Sequence, residues 1–218
     1  MKNRLIIAIA LFITLSTVSS QQKIVFSKFK LKEINVENNF LIKEKEIKEL
    51  LIPVIDKNLI FLAHSDVEEL LIKNSLIESF NIKKKYPNSL QIKIFEKKPI
   101  AILLDKQNKF YISEKIDLIE FDKLIDDKNL PYVLGNREEF EVFYNSLKTI
   151  NFPFEIIKKY TLFETNRWDL ETMNKKIIKL PPENYIRSLE NYLNLRNDDN
   201  FKKYLVFDFR IQDQLILK

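Results

Sequence analysis

Cysteine is absent from this 218-residue chain, and glycine and histidine occur once each, at Gly135 and His64. Without cysteine the chain has no disulfide, no thiolate metal site and no cysteine nucleophile. A single glycine excludes the P-loop, G-x-G-x-x-G and G-x-S-x-G motifs, because each of them needs two glycines or more. His64 lacks a partner at the spacing of a catalytic triad or a zinc site. The sequence therefore predicts a protein that is not an enzyme and holds neither a metal nor a cofactor.

Neither sign of charge is concentrated in one part of the sequence. The 36 basic and 31 acidic residues are spread along the chain and leave a net charge of +5. Nucleic-acid binding requires a concentrated basic face. We therefore expect no nucleic-acid partner and, without a catalytic motif, no small-molecule substrate.

The N-terminus contains the longest uncharged run. Lys2 and Arg4 precede eighteen uncharged residues, 5–22. As a helix this run reaches about 27 Å, close to the thickness of about 30 Å of a bilayer core. The run is either a signal anchor or a signal peptide that is cleaved before Gln21. In both cases the positive N-terminus places the rest of the chain outside the cytoplasm.

The next part of the chain has the pattern of a small α+β domain, which we assign to residues 23–98. A strand is expected over residues 29–36, then a helix that ends at Pro53 and a second helix with Ser65 as its N-cap. A hairpin follows: residues 86–89 have turn chemistry, and Leu90, Ile92 and Ile94 alternate with polar residues. The predicted order is strand, helix, helix, strand, strand.

Residues 99–218 have a different pattern, with short apolar runs and close turns that predict a mainly antiparallel β domain. Two helices interrupt it. The first spans residues 137–148, where Phe140, Phe143, Tyr144 and Leu147 follow helical spacing, and the second spans about 183–195. The chain ends on two strand-like pieces, residues 204–210 and 212–218. The predicted fold class is α+β, preceded by the membrane segment at residues 1–22.

Several motifs occur in an order typical of one family. In the first domain Pro87 and Leu90 flank the hairpin turn, and a Glu-Lys-Lys-Pro-Ile-Ala segment follows. In the second domain there are Leu-Pro-x-hydrophobic-x-Gly, Arg-Trp-x-Leu and Asp-x-Arg segments. The residues that carry these motifs are Pro87, Leu90, Glu96, Pro99, Ala101, Leu130, Pro131, Gly135, Arg167, Trp168, Asp208 and Arg210.

This order resembles the bacterial cell-division family FtsQ/DivIB, from about residue 29 to the C-terminus. The family's Asp-x-x-Gly turn is absent, and Ser113 to Ile116 stand in its place. The resemblance implies a POTRA domain followed by a β domain, and an anchor at residues 1–22 that is not cleaved. It also implies a location in the inner membrane at the division septum, with the N-terminus in the cytoplasm and the bulk in the periplasm.

The same resemblance implies a non-enzymatic scaffold for the divisome. Its expected partners are FtsB-like and FtsL-like division proteins and the septal synthesis machinery. The family's contact with FtsB involves its C-terminal strands. The terminal residues should form an edge strand that a partner can extend, since an edge leaves backbone groups unpaired. The candidate partner-binding residues are Asp213, Gln214, Leu215, Ile216, Leu217 and Lys218.

Two other classes of protein remain open at this point. A POTRA-bearing periplasmic chaperone or secretion component would receive unfolded chains by strand addition, although it would normally carry repeated POTRA units or a membrane barrel. A secreted hydrolase with a signal peptide would need a catalytic motif, and the sequence provides none.

Overall fold

The computed structural model describes residues 6–14, 27–106, 108–121 and 129–218. The chain divides into two compact units, Met1–Glu96 and Lys97–Lys218. Each unit has its own hydrophobic core, so each is considered separately.

The N-terminal stretch is helical over residues 6–14. Its six large hydrophobic side chains are all more than half exposed, from Ile9 at 51% to Phe12 at 75%. In the described part of the chain, no helix combines the length and the apolar character needed to cross a membrane. Most of the expected anchor, residues 1–22, and the alternative cleavage site before Gln21 lie outside the described residues.

The first unit has the predicted order of strands and helices. A three-stranded sheet has the order β1-β3-β2, with β1 parallel to β3 and β2 antiparallel to it. The elements are β1 (Glu33–Glu37), α1 (Glu44–Leu50), α2 (His64–Leu71), β2 (Ile77–Lys85) and β3 (Ser89–Glu96).

The predicted faces of β3 are confirmed. Leu90, Ile92 and Ile94 are fully buried, whereas Lys93 is exposed. Together with apolar residues of both helices they form the core of the unit. The alternation arises because successive side chains of a strand point to opposite faces, and only one face of this sheet is covered.

The predicted N-cap at Ser65 is wrong. Helix α2 begins at His64 with Ala63 as its N-cap, two residues earlier than predicted. The carboxylate of Asp66 accepts a hydrogen bond of 3.2 Å from the Ala63 N–H. An ionised acceptor makes a stronger hydrogen bond than a hydroxyl, which explains why Asp66 rather than Ser65 fixes the start of the helix.

The second unit consists of a nine-stranded sheet and two helices. The strand order is β12-β11-β10-β9-β8-β7-β4-β5-β6. The strands are β4 (Pro99–Asp105), β5 (Asn108–Ser113), β6 (Leu118–Glu120), β7 (Tyr132–Leu134), β8 (Ile157–Phe163), β9 (Arg167–Thr172), β10 (Ile177–Lys179), β11 (Val206–Asp208) and β12 (Ile216–Leu217), and the helices are α3 (Arg137–Thr149) and α4 (Tyr185–Leu195).

Most neighbouring strands of this sheet are antiparallel, as predicted. The parallel pairs are β4 with β7, β7 with β8, and β10 with β11. Helix α3 connects β7 to β8 and helix α4 connects β10 to β11. Parallel neighbours need such crossover connections, so the two helices account for two of the parallel pairs.

Both helices pack on the same face of the sheet. Phe143 of α3 stacks on Trp168 of β9, with 4.9 Å between ring centroids. Tyr192 of α4 meets Phe207 of β11 edge to face at 5.1 Å. All four of these side chains belong to the core of the unit. The charged side chains of β9 to β11 lie on the opposite face, together with Ile177 and Val206.

The burial of β3 leads to a prediction about the first unit. Replacing Ile92 with Asp should unfold this unit, because an unpaired buried charge costs several kcal/mol, comparable to the whole stability of a small domain. Lys93→Asp is the matched control, since Lys93 is exposed on the other face. A thermal melt in which both variants behave alike would contradict this account of the strand.

Candidate partner-binding edge

The C-terminal residues lie at one edge of the nine-stranded sheet. Strand β12 pairs only with β11 in the strand order, so its other side has no neighbouring strand among the described residues. The strand is short, Ile216–Leu217, although residues 212–218 were predicted to be extended. Asp213 has a positive φ of 56°, and the Gln214 N–H donates to the Ile211 carbonyl. Part of the candidate segment is thus a turn that leads into a two-residue strand.

The hydrogen-bond register shows which backbone groups of β12 face outward. Val206 and Lys218 exchange two hydrogen bonds, of 2.9 and 3.1 Å. In an antiparallel pair such bonded positions alternate with non-bonded ones. Phe207 and Leu217 therefore form a non-bonded pair. The N–H and C=O of Leu217 point away from β11, toward the open edge.

The side chains of the segment divide between the two faces as predicted. Leu215 and Leu217 are half-buried and pack against the core. Ile216 lies on the opposite face and is 38% exposed. Gln214, Lys218 and Asp213 are exposed, and the Asp213 carboxylate lies 3.6 Å from Arg187 of α4. The edge thus offers one apolar side chain together with an outward backbone amide and carbonyl.

A row of polar residues leads to Ile216 across the uncovered face. Asp169 of β9 pairs with Lys179 of β10, Lys179 with Asp208 of β11, and Asp208 with Ile216. Directly paired residues project to the same face of a sheet. Three charged positions therefore lie in line beside the exposed isoleucine.

Asp208 and Arg210 form an ion pair at the end of β11. The Arg210 guanidinium donates two hydrogen bonds to the Asp208 carboxylate, of 2.8 Å from Nε and 2.7 Å from the terminal nitrogen. The Arg210 backbone N–H adds a third, of 3.2 Å. These hydrogen bonds lower the pKa of Asp208 below its ordinary value, against the opposing effect of burial. This bidentate contact fixes the end of β11, at the residue that pairs with Ile216 of β12.

The pKa of Asp169 is shifted in the opposite direction from that of Asp208. Burial raises the pKa of Asp169, although the Arg167 guanidinium, with Nε at 3.3 Å, opposes that rise. The same guanidinium lies over the ring of Phe163, 4.3 Å from its centroid. The Arg167 side chain is thus fixed by one carboxylate and one ring, and it belongs to the polar face rather than to the core.

Gly135 and Trp168 are close neighbours in the structure. A Cβ atom at Gly135 would lie 2.9 Å from the Leu162 Cβ and 3.3 Å from the Trp168 ring. A non-bonded approach of 2.9 Å is far inside ordinary carbon contact distances. Glycine is therefore required at this position because of a close approach between neighbouring strands.

The other motif residues have structural roles. Glu96 accepts backbone hydrogen bonds of 2.8–3.0 Å from Phe40, Leu41 and Ile42, so it fixes the loop before α1. The Pro131 carbonyl accepts from the Ile102 N–H at 2.9 Å and aligns β7 with β4. Pro99 begins β4, Leu90 and Ala101 are buried, Leu130 is half-buried, and Pro87 follows a cis peptide bond in the hairpin turn.

Sequence reasoning missed a groove beside the edge. It has a volume of about 1030 Å³ and lies between α4 with its preceding residues and the chain over residues 209–215. Arg187 and Asp213, the ion pair described above, both line it. No local pattern signals this groove, because its two walls are separated in sequence and meet only through the β10–β11 crossover.

The acidic side chains and His64 are the groups that a metal site or an acid–base site would use. No group of three or more histidine, aspartate and glutamate side chains is placed to hold a metal ion within the described ranges. The His64 ring is exposed, lies near the Phe80 ring and is 3.8 Å from the Glu68 carboxylate on the same helix. The features that remain are an open strand edge, a groove and a polar face, which suit the binding of another chain.

Comparison with known proteins defines the class. Residues 29–97 match the family model described as POTRA domain, FtsQ-type. The first unit is therefore a POTRA domain of the type found in division proteins.

Matches to whole proteins extend into the second unit. The cell division protein FtsQ of Rickettsia conorii is 25% identical over 195 residues, 87% of this chain and 72% of that protein. FtsQ of Rickettsia bellii is 28% identical over 178 residues, covering 79% and 64% of the two chains. The cell division protein DivIB of Clostridium acetobutylicum is 28% identical over 102 residues, covering 47% and 41%. The family-model match and these relatives support the FtsQ/DivIB family of cell-division proteins as the family that this chain resembles.

The Asp208–Arg210 pair yields a prediction that depends on pH. Arg210→Met should lower the Tm of the second unit by several degrees at pH 7, because it leaves a buried carboxylate without its partner. The folded pKa of Asp208 is lowered, so the stabilisation is present above the ordinary aspartate pKa of about 3.9. It is lost as the pH falls through the lower, folded value.

The matched control is Arg187→Met, which breaks an exposed ion pair with Asp213 in the same unit. Such surface pairs contribute little, so its Tm should stay close to that of the parent chain. Calorimetry at pH 7 and below pH 3 measures the effect. An Arg210→Met shift that is equally large at both pH values would show that the charge of Asp208 is not involved.

Proposed function

We propose that this protein is a non-enzymatic scaffold of the divisome that gathers other division proteins through periplasmic contacts. The observation that carries the proposal is the open edge of β12. Its outward amide and carbonyl at Leu217, its exposed Ile216 and the adjacent groove form one continuous set of binding features. The named relatives, all cell-division proteins, support the cellular role.

The proposed partner is an FtsB-like or FtsL-like division protein, which links this chain to the septal synthesis machinery. A segment of that partner adds to the sheet as a strand beside β12, so that main-chain hydrogen bonds supply affinity. Alternate side chains of the added strand supply specificity, because one row meets Ile216 and the polar face while the other meets the helix side. A partner residue that follows the added strand contacts the groove beside α4.

The proposed location is the inner membrane at the division septum, with the N-terminus in the cytoplasm and the bulk of the chain in the periplasm. Residues 6–14 support membrane association, since their six large apolar side chains are exposed in the folded chain. Exposed apolar surface of this extent marks a site of contact with a membrane or another chain. The uncharged run of residues 5–22 remains attached in this proposal and tethers the scaffold.

The tether leads to a prediction about the mature protein. Chain recovered from membranes should resist extraction at high pH and have a mass that includes the first twenty residues. Mass spectrometry of the intact protein measures this. A mature chain that begins at Gln21 and washes off the membrane would identify a cleaved signal peptide instead.

The strand-addition proposal predicts opposite behaviour for two exposed isoleucines. Ile216→Lys should weaken capture of the FtsB-like protein at least tenfold, because a lysine on a strand edge opposes the addition of a further strand. The new ammonium group lies opposite Asp208, so the fold should tolerate it. Ile72→Lys is the matched control, since Ile72 is 62% exposed and lies in the first unit, outside the strand and the groove.

Pull-down of the partner and rescue of depleted cells are the two readouts. Cells rescued with Ile216→Lys should form filaments, while cells rescued with Ile72→Lys should divide. Removal of Asp213–Lys218 should abolish capture and leave the first unit folded by circular dichroism. Equal capture by the two folded lysine variants would rule out β12 as the binding edge.

A further inference from the structure

One end of the POTRA sheet combines exposed apolar side chains with a cluster of lysines. It contains the turn between β2 and β3, the residues before β1 and the connection that precedes α2. We name it the hairpin-turn end and define it by residues 27–33, 56–61 and 83–89.

Backbone and side-chain hydrogen bonds hold these three segments together. The parallel pairing of Glu33 with Ser89 places the start of β1 beside the start of β3. Further contacts are Leu59 N–H to Phe29 C=O at 2.7 Å, Lys32 N–H to Asn88 C=O at 2.9 Å and the Lys84 ammonium to Ile60 C=O at 3.3 Å. The hairpin-turn end is therefore one continuous surface.

Apolar side chains project from this surface. Phe61 is 72% exposed, Tyr86 58% and Ile60 42%. The Tyr86 ring meets the Phe29 ring edge to face, 6.0 Å between centroids. Two aromatic rings and an isoleucine are thus presented together, in a unit whose core is already filled by other residues.

Positive charge surrounds these apolar side chains. The three segments contain seven lysines and two carboxylates, an excess of five positive charges. The carboxylates belong to Glu33 and Asp56. The lysines are Lys28, Lys30, Lys32, Lys57, Lys83, Lys84 and Lys85.

The opposite end of the same sheet provides a contrast. Strand β3 has eight residues, which separate its two ends by about 25 Å. At the far end the Glu96 carboxylate binds the backbone around Phe40. Phe40 is 81% exposed, but it lies beside the Glu96 carboxylate, and Glu44 and Glu46 offset the charges of Lys43 and Lys45 that follow it in the chain.

The hairpin-turn end is also the part of the domain nearest along the chain to the hydrophobic N-terminal run. Six residues, 23–28, connect residues 5–22 to Phe29. Such a connection spans at most about 20 Å. A domain tethered by residues 5–22 therefore keeps this end within about 20 Å of the tether.

We propose that the hairpin-turn end docks on the membrane surface by binding anionic phospholipid headgroups. The lysines contact headgroup phosphates, and Phe61, Tyr86 and Ile60 enter the interface, where amphipathic aromatic side chains are favoured. The proposal rests on the membrane tethering proposed above. Docking fixes the orientation of the POTRA domain relative to the bilayer, which a tether alone does not do.

Single cysteine probes test this directly, because the chain has no cysteine of its own. The full chain is reconstituted in nanodiscs of phosphatidylcholine, with or without phosphatidylglycerol, and labelled with a nitrobenzoxadiazole at Phe61→Cys or at Phe40→Cys. The label at position 61 should brighten and shift to shorter wavelength with phosphatidylglycerol only. The label at position 40 should not respond. Salt at 1 M, where the Debye length is about 3 Å, should remove the response.

A charge variant provides the matched comparison. Lys83→Gln with Lys85→Gln should lower the equilibrium constant for docking by about 25-fold, since each lysine near an anionic surface contributes about fivefold. Lys43→Gln with Lys45→Gln makes the same change of charge at the far end. This control should leave the response at position 61 unchanged.

Each outcome decides the proposal. An inserted chain whose label at position 61 ignores the lipid charge overturns it, and so does an equal response at positions 61 and 40. A fluorescence response at position 61 in a chain that adsorbs to the nanodisc without inserting supports the docking surface and overturns the proposed membrane tether. A chain that neither inserts nor responds overturns both.

Discussion

The packing of Trp168 against α3 is the contact on which the second unit depends. Its ring stacks on Phe143, meets Phe140 edge to face, and lies near Gly135, where the close approach of Leu162 requires glycine. Because this contact fixes α3 on one face of the sheet, the charged side chains of β9 to β11 are confined to the other face. The Asp208–Arg210 pair forms there and supports β11, the only strand on which β12 is built. The exposed edge at β12 therefore depends on the packing of the helices against one face of the sheet.

The two edges of the nine-stranded sheet differ in a way that favours β12 for binding. At the β6 edge, Phe121 stacks on Tyr111, and the Lys109 ammonium lies 5.5 Å from the Phe121 ring centroid. Aromatic cover and a lysine are devices that protect an edge against pairing with another strand. At the β12 edge Ile216 is exposed, and a groove continues beyond it. The β12 edge thus combines an exposed apolar side chain with room for a partner.

Local pattern predicted much of this structure. The alternation of Leu90, Ile92 and Ile94 and the helical spacing of Phe140, Phe143, Tyr144 and Leu147 each identified a buried face. The sequence pattern did not predict features that depend on competing hydrogen-bond acceptors or on residues that are distant in sequence. Asp66 replaced Ser65 in fixing the start of α2, the extended segment before Ile216 became a turn, and the groove arose from two segments about twenty residues apart. Such features depend on the assembled sheet, which no short window of sequence contains.

The central claim is that a partner strand binds β12, and the Leu217 amide tests it most directly. This amide points to the open edge, whereas the Lys218 amide already donates to Val206. Hydrogen exchange resolved by residue, measured on the chain alone and with its FtsB-like partner, separates the two groups. We predict that exchange at Leu217 slows at least tenfold on binding, with no change at β6. Unchanged exchange at Leu217 in the saturated complex, or protection that appears at β6 instead, would contradict the account.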